Sequence, residues 1–249
     1  MEPLFIDTFS VTDQQCDRFG RLKPSAILWF VQEIAARHCL LLGTDWDTLA
    51  EKNMFWAIIR HQVQVQQLPH KGQTIRIETW PMPTSRVAYP RCVVAVDQDG
   101  TELFRTVSLW VLMDLQSRSM ILPGKSGVEV NGVLRGGELP MPRSLPAMEL
   151  AQCQNRRVCF TDLDINGHMN NCRYLDWVYD LLPSAFHQTQ QVHNITLGYL
   201  SEAREGDDLQ LQYQAKEDGC LQLQIQRTDD GQCHPIFRAE LEFDTCSVN

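Results

Sequence analysis

A carboxylate, an amide and an imidazole occupy every second position at Asp164, Asn166 and His168, inside the segment DLDINGHMNNCRYLDW that runs from Asp162 to Trp177. In an extended strand or loop, alternate residues face the same way, so this spacing sets the three side chains on one side of the chain. Just downstream, Tyr174, Val178 and Leu181 recur at helical spacing, with Leu175 and Leu182 beside them. The polar trio therefore stands at the mouth of an amphipathic helix, and Asn170 or Asn171 is suited to cap it. Unpaired backbone N–H groups at such an end can stabilise a developing oxyanion. A base, an amide, an imidazole and an anion hole together suit hydrolysis. The same residue types also serve a plain turn running into a capped helix, so the rest of the chain has to decide between the two.

The chain has 249 residues, 43% of them apolar, enough for one large domain or two small ones with a substantial core. No run approaches the roughly 18 apolar residues of a membrane-spanning helix. The N-terminal MEPLFIDTFSV has an early acid and no basic or apolar leader region, unlike a secretory signal. Nine cysteines (16, 39, 92, 153, 159, 172, 220, 233 and 246) are scattered without any CxxC pair. That pattern reads as reduced thiols in a cytosol and not as a disulfide framework or a zinc site. The net charge of −9, from 22 basic and 31 acidic residues, argues against a nucleic-acid partner.

The two halves resemble each other. Asp17, Gly20 and Leu28 fall on Asp164, Gly167 and Leu175 at a constant offset, and each turn leads into a helical pattern, the first through Ile27, Val31 and Ile34. Strand-like alternation follows in both halves, over 62–68, 74–80, 87–96 and 102–113, then 192–199, 208–214, 221–227 and 236–243. Hairpins such as Asp97–Gly100 and Asp229–Gly231 join them. Between the halves, glycines and prolines crowd the stretch from Pro123 to Pro146, as in a linker. The expected organisation is a first unit over 1–122, a linker over 123–152 and a second unit over 153–249. Each unit is a helix wrapped by an antiparallel sheet, and the two sheets form one continuous sheet in an α+β fold.

This order of elements, with Asp164-x-Asn166-x-His168-x-Asn170-Asn171 at a helix mouth, resembles the acyl-ACP thioesterases, which are built from two tandem hot-dog repeats. Phe55-Trp56-Ala57-Ile58-Ile59-Arg60, Glu78-Thr79-Trp80-Pro81 and the strand from Arg105 to Asp114 are similar to the family's first sheet. Thr196-Leu197-Gly198-Tyr199-Leu200-Ser201-Glu202 is similar to its second catalytic stretch. The resemblance covers nearly the whole chain. It implies hydrolysis of a fatty acyl thioester with no cofactor, by a catalytic set of Asp164, Asn166, His168 and Glu202. Many plant members carry a cysteine directly after that glutamate; Ala203 stands here, which favours a carboxylate mechanism.

In the first half Phe19 and Arg21 replace Asn166 and His168, so that unit lacks the chemistry. By resemblance it forms the acyl-chain pocket, with Trp29, Phe30, Trp56 and Trp80 as candidate lining. Acyl carrier protein is itself acidic and needs a local basic face on an acidic enzyme; Arg156, Arg157 and Arg173 are the candidates, with Lys23, Arg135 and Arg143 as others. Asp164 acts as nucleophile or as general base, and backbone N–H groups near 167–169 complete the anion hole. An acyl-CoA thioesterase and a non-catalytic acyl-binding protein are the alternatives; hot-dog dehydratases lack both motifs. The expected setting is a bacterial-type cytoplasm, as monomer or homodimer.

Overall fold

Two turns of identical hydrogen bonding define the architecture. In each, an aspartate N–H donates to the carbonyl four residues on (Asp17 to Arg21, 2.7 Å; Asp164 to His168, 2.9 Å), and a glycine N–H donates back to the aspartate carbonyl (Gly20 and Gly167, both 3.0 Å). The glycines adopt φ of +77° and +73°, a left-handed conformation that any Cβ would strain. A bridge pairs the residues flanking each turn, Cys16 with Leu22 and Leu163 with Met169. The long helices then begin at matching positions, Pro24 and Asn171. A local instruction of acid, turn, glycine and helix start is thus written twice.

The computed structural model describes residues 3–216, 218–229 and 231–245, and the chain divides into two units between Pro142 and Arg143. The first unit holds β1 (Phe5–Ser10), α1 (Pro24–Leu42), α2 (Trp46–Ala50), β2 (Met54–Val65), β3 (Thr74–Pro81), β4 (Tyr89–Val96), β5 (Glu102–Asp114), β6 (Met120–Ile121) and α3 (Pro123–Ser126). Its antiparallel sheet runs in the order β1-β3-β4-β5-β2, with β6 on β5. The second unit holds β7 (Gln152–Arg157), α4 (Asn171–Asp180), α5 (Ser184–Thr189), β8 (Gln190–Tyr199), β9 (Asp208–Ala215), β10 (Cys220–Asp229) and β11 (Gln232–Thr245). Its order, β7-β9-β10-β11-β8, repeats the first strand for strand.

Helix α1 starts on a proline and stops at Gly43 in the left-handed conformation, with the Gly43 and Thr44 N–H groups closing back onto Leu40 and Cys39. Ile27, Val31 and Ile34 are fully buried, each side chain stabilising the unit by roughly 1.5–3 kcal/mol, and Phe30 meets Phe9 of β1 edge-on at 5.2 Å. At 19 residues and a mean hydropathy of 1.3, α1 is long and apolar enough by composition to cross a membrane, although half of that stretch is buried inside the unit. No unbroken apolar run of that length exists, because Gln32, Glu33, Arg37 and His38 interrupt it; it is the average over the helix that reaches the membrane-spanning range. In the second unit Tyr174, Leu175, Trp177 and Val178 are buried, and Tyr174 stacks on Phe237 at 4.8 Å. In β10, Leu221, Leu223 and Ile225 point into the core while Gln222, Gln224 and Gln226 alternate with them.

The stretch between the halves packs closely. In the first unit, Val133 and Leu139 cover a cluster of Trp80, Met82, Cys92, Val94, Val96 and Val107 on the sheet. The Val133 N–H donates to the Pro81 carbonyl at 2.9 Å, and a Cβ on Gly132 would fall 2.0 Å from the Met82 carbonyl oxygen. In the second unit, Met148 exchanges hydrogen bonds with the Gln224 amide (3.1 and 2.7 Å). Arg238 donates to the Leu145 carbonyl at 2.8 Å, and Arg143 pairs with Glu240. Glycine and proline serve here to press irregular chain flat against sheets.

Candidate active site

The trio is displayed by a tight turn and not by extended chain: residues 165–167 reverse direction between Asp164 and His168. Asp164 Oδ1 accepts from the Asn166 N–H at 2.8 Å, the short-range bond that aspartate makes readily at a turn. Among the described residues nothing donates to Asp164 Oδ2. Asn166 stands exposed on the turn. His168 is more enclosed, its side chain 16% exposed, and its Nε2 lies 3.1 Å from Glu202 Oε2. When Nε2 carries a proton it donates to Glu202, and Nδ1 is then the ring's remaining hydrogen-bonding atom. Glu202 lies in the loop after β8, not on a strand, and Arg204 reaches the same Oε2 at 4.0 Å.

The first unit shows the same turn without the chemistry. There Asp17 Oδ1 takes the Phe19 and Arg21 N–H groups (2.8 and 3.0 Å). Its Oδ2 is clamped by Arg21 Nε and Nη2 at 3.1 and 2.9 Å. In the second unit a histidine that turns to Glu202 stands in place of that arginine, and among the described residues Asp164 Oδ2 has no such clamp. One clamped carboxylate and one open carboxylate thus share a single backbone design.

Asn170 is the cap of α4, its side-chain oxygen accepting from the Cys172 N–H at 2.8 Å. The Tyr199 hydroxyl, whose proton affinity burial raises well above the usual tyrosine value, donates to the Asn171 carbonyl at 3.1 Å. This bond ties the end of β8, and with it Glu202, to the start of the helix. The anion hole is smaller than expected. The Gly167 N–H is engaged by Asp164 and the Met169 N–H by the Ala203 carbonyl (3.0 and 2.8 Å). In this stretch only the His168 N–H keeps no acceptor among the described residues. Ala203 is fully buried, and Cys172 is on α4.

Of the four aromatic lining candidates, Trp56 borders a cavity of about 350 Å³ inside the first unit. Its indole N–H donates to the Thr44 carbonyl at 2.8 Å, and it meets Tyr89 edge-on at 4.9 Å. Phe30 and Trp80 belong to buried packing, Trp29 is 45% exposed, and none of the three borders this cavity. The docking arginines also differ. Arg156 lies over Trp177 at 4.4 Å and pairs with Asp180 at 2.7 Å; Arg173 pairs with Asp176 at 3.0 Å and reaches Asp162 at 3.5 Å. Arg157, 66% exposed and 3.9 Å from Asp208, is the least committed. Lys23 donates to the Gln14 carbonyl at 3.2 Å, and Arg135 lies over Trp80 at 5.3 Å.

A buried cluster escapes a reading by motif. Arg91, in the apolar run of β4, is 6% exposed beside His38 at 1%. Its signal in the sequence is a lone charge in YPRCVVAV. The eight described cysteines are outside any disulfide; Cys246 lies outside the described residues, as does Asp230 of the second hairpin. Among the described residues no group of three or more His, Cys, Asp or Glu side chains is placed to hold a metal.

Two units, each a helix on an antiparallel sheet with one retaining a polar turn, define a double hot-dog protein of the α+β class. The profile of the acyl-ACP thioesterase N-terminal domain matches residues 2–122 and that of the C-terminal domain matches 147–243. The chain belongs to the acyl-ACP thioesterase family. It is 25% identical over 222 residues to a chloroplastic palmitoyl-acyl carrier protein thioesterase of Gossypium hirsutum, covering 83% of this chain and 54% of that protein. To a chloroplastic dodecanoyl-[acyl-carrier-protein] hydrolase of Cinnamomum camphora it is 24% identical, covering 83% and 58%. The chain therefore spans about half the length of the curated relatives it matches. Among solved structures, an acyl-ACP thioesterase from Bacteroides thetaiotaomicron superposes with a TM-score of 0.83 at 23% identity, covering 97% of this chain and 98% of that one. The 12:0-ACP thioesterase of Umbellularia californica gives 0.81 at 21%, covering 99% of each.

Proposed function

We propose that this chain hydrolyses the thioester of fatty acyl-acyl carrier protein, releasing a free fatty acid and ending chain elongation, with the chemistry in the second unit. The observation that carries the reading is the contrast between the two turns: Asp17 is clamped by Arg21, whereas Asp164 Oδ2 is open and His168 is held by Glu202. Asp164 either attacks the thioester carbon, giving a mixed anhydride that water opens, or takes a proton from water as it attacks. In either route His168, accepting at Nδ1, relays to the thiolate the proton that water gives up. Asn166, exposed at the turn, donates to the oxygen on which charge develops, together with the His168 N–H. Glu202 positions His168.

For the carrier, Arg157 is the docking residue we favour, since Arg156 and Arg173 are already paired within the unit. The cavity beside Trp56 supports an acyl-binding role for the first unit. Thiols outside any disulfide support a reducing, cytoplasmic setting.

The test is thiol release from a series of acyl-ACPs, each paired with its acyl-CoA, by wild type, Asp164→Ala and His168→Ala. Turnover on the ACP substrates, weak on CoA and lowered about a hundredfold or more in both variants, is the expected result. Activity mainly on CoA replaces the carrier and keeps the chemistry. Near-wild-type turnover in both folded variants overturns the site.

A further inference from the structure

The first unit contains a cation that no carboxylate among the described residues neutralises. Arg91 is 94% buried, taking its 6% exposure from full, and it borders the cavity of about 350 Å³ between α1, α2 and the sheet. Its Nη1 donates to His38 Nδ1 at 3.0 Å and to Thr79 Oγ1 at 3.1 Å. Its Nη2 makes a long contact of 3.9 Å to the Cys39 thiol, another wall residue. None of the three is a carboxylate, and His38 can accept only with Nδ1 unprotonated. The Thr79 hydroxyl in turn donates to the Cys92 carbonyl at 3.0 Å, so the cluster is fixed.

Among the described residues no carboxylate lies within ion-pair distance of the guanidinium. Asp45 and Asp47, which also border the cavity, stand at the start of α2. Asp45 is held there as the helix cap by the Thr48 N–H and hydroxyl (3.2 and 2.7 Å).

A buried guanidinium with no carboxylate partner is costly and strongly favours an anion that can reach it. A guanidinium has five N–H donors in a fork that matches a carboxylate, and three are engaged here, one of them weakly. The rest of the wall is apolar, including Ala36, Leu40, Trp56, Tyr89 and Trp110. The volume is at the small end of ligand cavities, the size for one aliphatic chain. Head and wall together select an amphipathic anion.

We propose that this cavity binds an aliphatic chain ending in a carboxylate, with the carboxylate on Arg91 and the chain along the apolar wall. Such a carboxylate belongs either to a free fatty acid or to the far end of an ester-linked dicarboxylic chain. The proposal uses residues of the first unit alone, and its test reads binding, so it stands or falls apart from the hydrolysis assigned to the second unit.

The probes are decanoate, decan-1-ol and the monomethyl ester of sebacic acid, titrated calorimetrically and by tryptophan fluorescence into wild type, Arg91→Gln and Arg91→Lys. The expected result is at least a tenfold preference of wild type for either carboxylate over the alcohol. Arg91→Gln loses that preference, and Arg91→Lys keeps part of it. Decanoate binding more tightly than the monoester assigns the site to a free fatty acid, and the reverse order assigns it to a dicarboxylic chain. Equal binding of alcohol and carboxylates, or no binding of any probe, overturns the proposal. Should Arg91→Gln fail to fold, the wild-type ranking of the three probes still decides.

Discussion

The repeated turn predicts that a single substitution, His168→Arg, converts the reactive turn into a copy of the structural one. In the first unit Arg21 clamps Asp17 through Nε and Nη2 at 3.1 and 2.9 Å, with side chains 15% and 27% exposed. The backbone of the second turn has the same hydrogen bonds, so the new arginine finds Asp164 at matching reach. A partly buried two-pronged pair of this kind contributes about 1 kcal/mol. The pair given up, His168 with Glu202, has a glutamate 42% exposed, and an exposed pair contributes well under about 1 kcal/mol. The fold therefore holds: the melting temperature stays level or rises by roughly 2–4 °C for a chain of this size. Hydrolysis behaves oppositely. The imidazole is lost and the Asp164 carboxylate is neutralised by its new partner, so kcat falls by about a hundredfold to ten-thousandfold. The assay is thiol release from an acyl-ACP alongside a thermal melt of the same preparation. More than a tenth of wild-type kcat in folded protein would refute the reasoning, and so would a melt lowered by more than about 5 °C, because the arginine would then not be completing the structural turn.

Three further predictions test other parts of the account. Arg157→Glu raises KM for acyl-ACP severalfold at low salt, with the difference shrinking as salt screens the contact and kcat unchanged; steady-state kinetics across a salt series reads it. Gly167→Ala, forced into a left-handed backbone at φ +73°, lowers stability by about 1 kcal/mol and kcat with it, as denaturant unfolding and turnover measure. Acid weakens the first unit through His61, which burial holds at about 3 against an ordinary 6.5. Because the folded value is depressed, folded and unfolded chains are both neutral there above pH 6.5. Stability is lost as pH falls below that value, and the loss is complete only near pH 3. By pH 5 the penalty is about 2 kcal/mol, and His61→Leu removes that much of the difference between unfolding free energies at pH 7 and pH 5.

Much of this was legible in the sequence because the decisive instructions are local. Aspartate followed by glycine three residues on, then a helix start, specifies turn and helix within a dozen residues, and it occurs at Asp17 and again at Asp164. Strands β3, β9 and β10 announce themselves by alternation. The outer strands do not. In β7, QCQNRR is almost wholly exposed, so no apolar period marks it, and it exists through its ladder with β9. The close packing of 128–148 depends on sheets far away in sequence, which glycine and proline content cannot reveal. The motif singles out Glu202, but its place in a loop and its contact with His168 depend on how β8 ends at Tyr199. Arg91 stays hidden in the sequence because β4 is buried along both faces, and in such a strand a charge looks like an exception until the cavity beside it is seen.

The central claim is that one of two equivalent carboxylates performs the hydrolysis. The direct test compares Asp164→Asn with Asp17→Asn on the same acyl-ACP, each checked for an intact fold. The account predicts that the change at 164 lowers kcat about a hundredfold or more, while the change at 17 leaves it within a few fold. Equal losses at both positions, or a larger loss at 17, would contradict it.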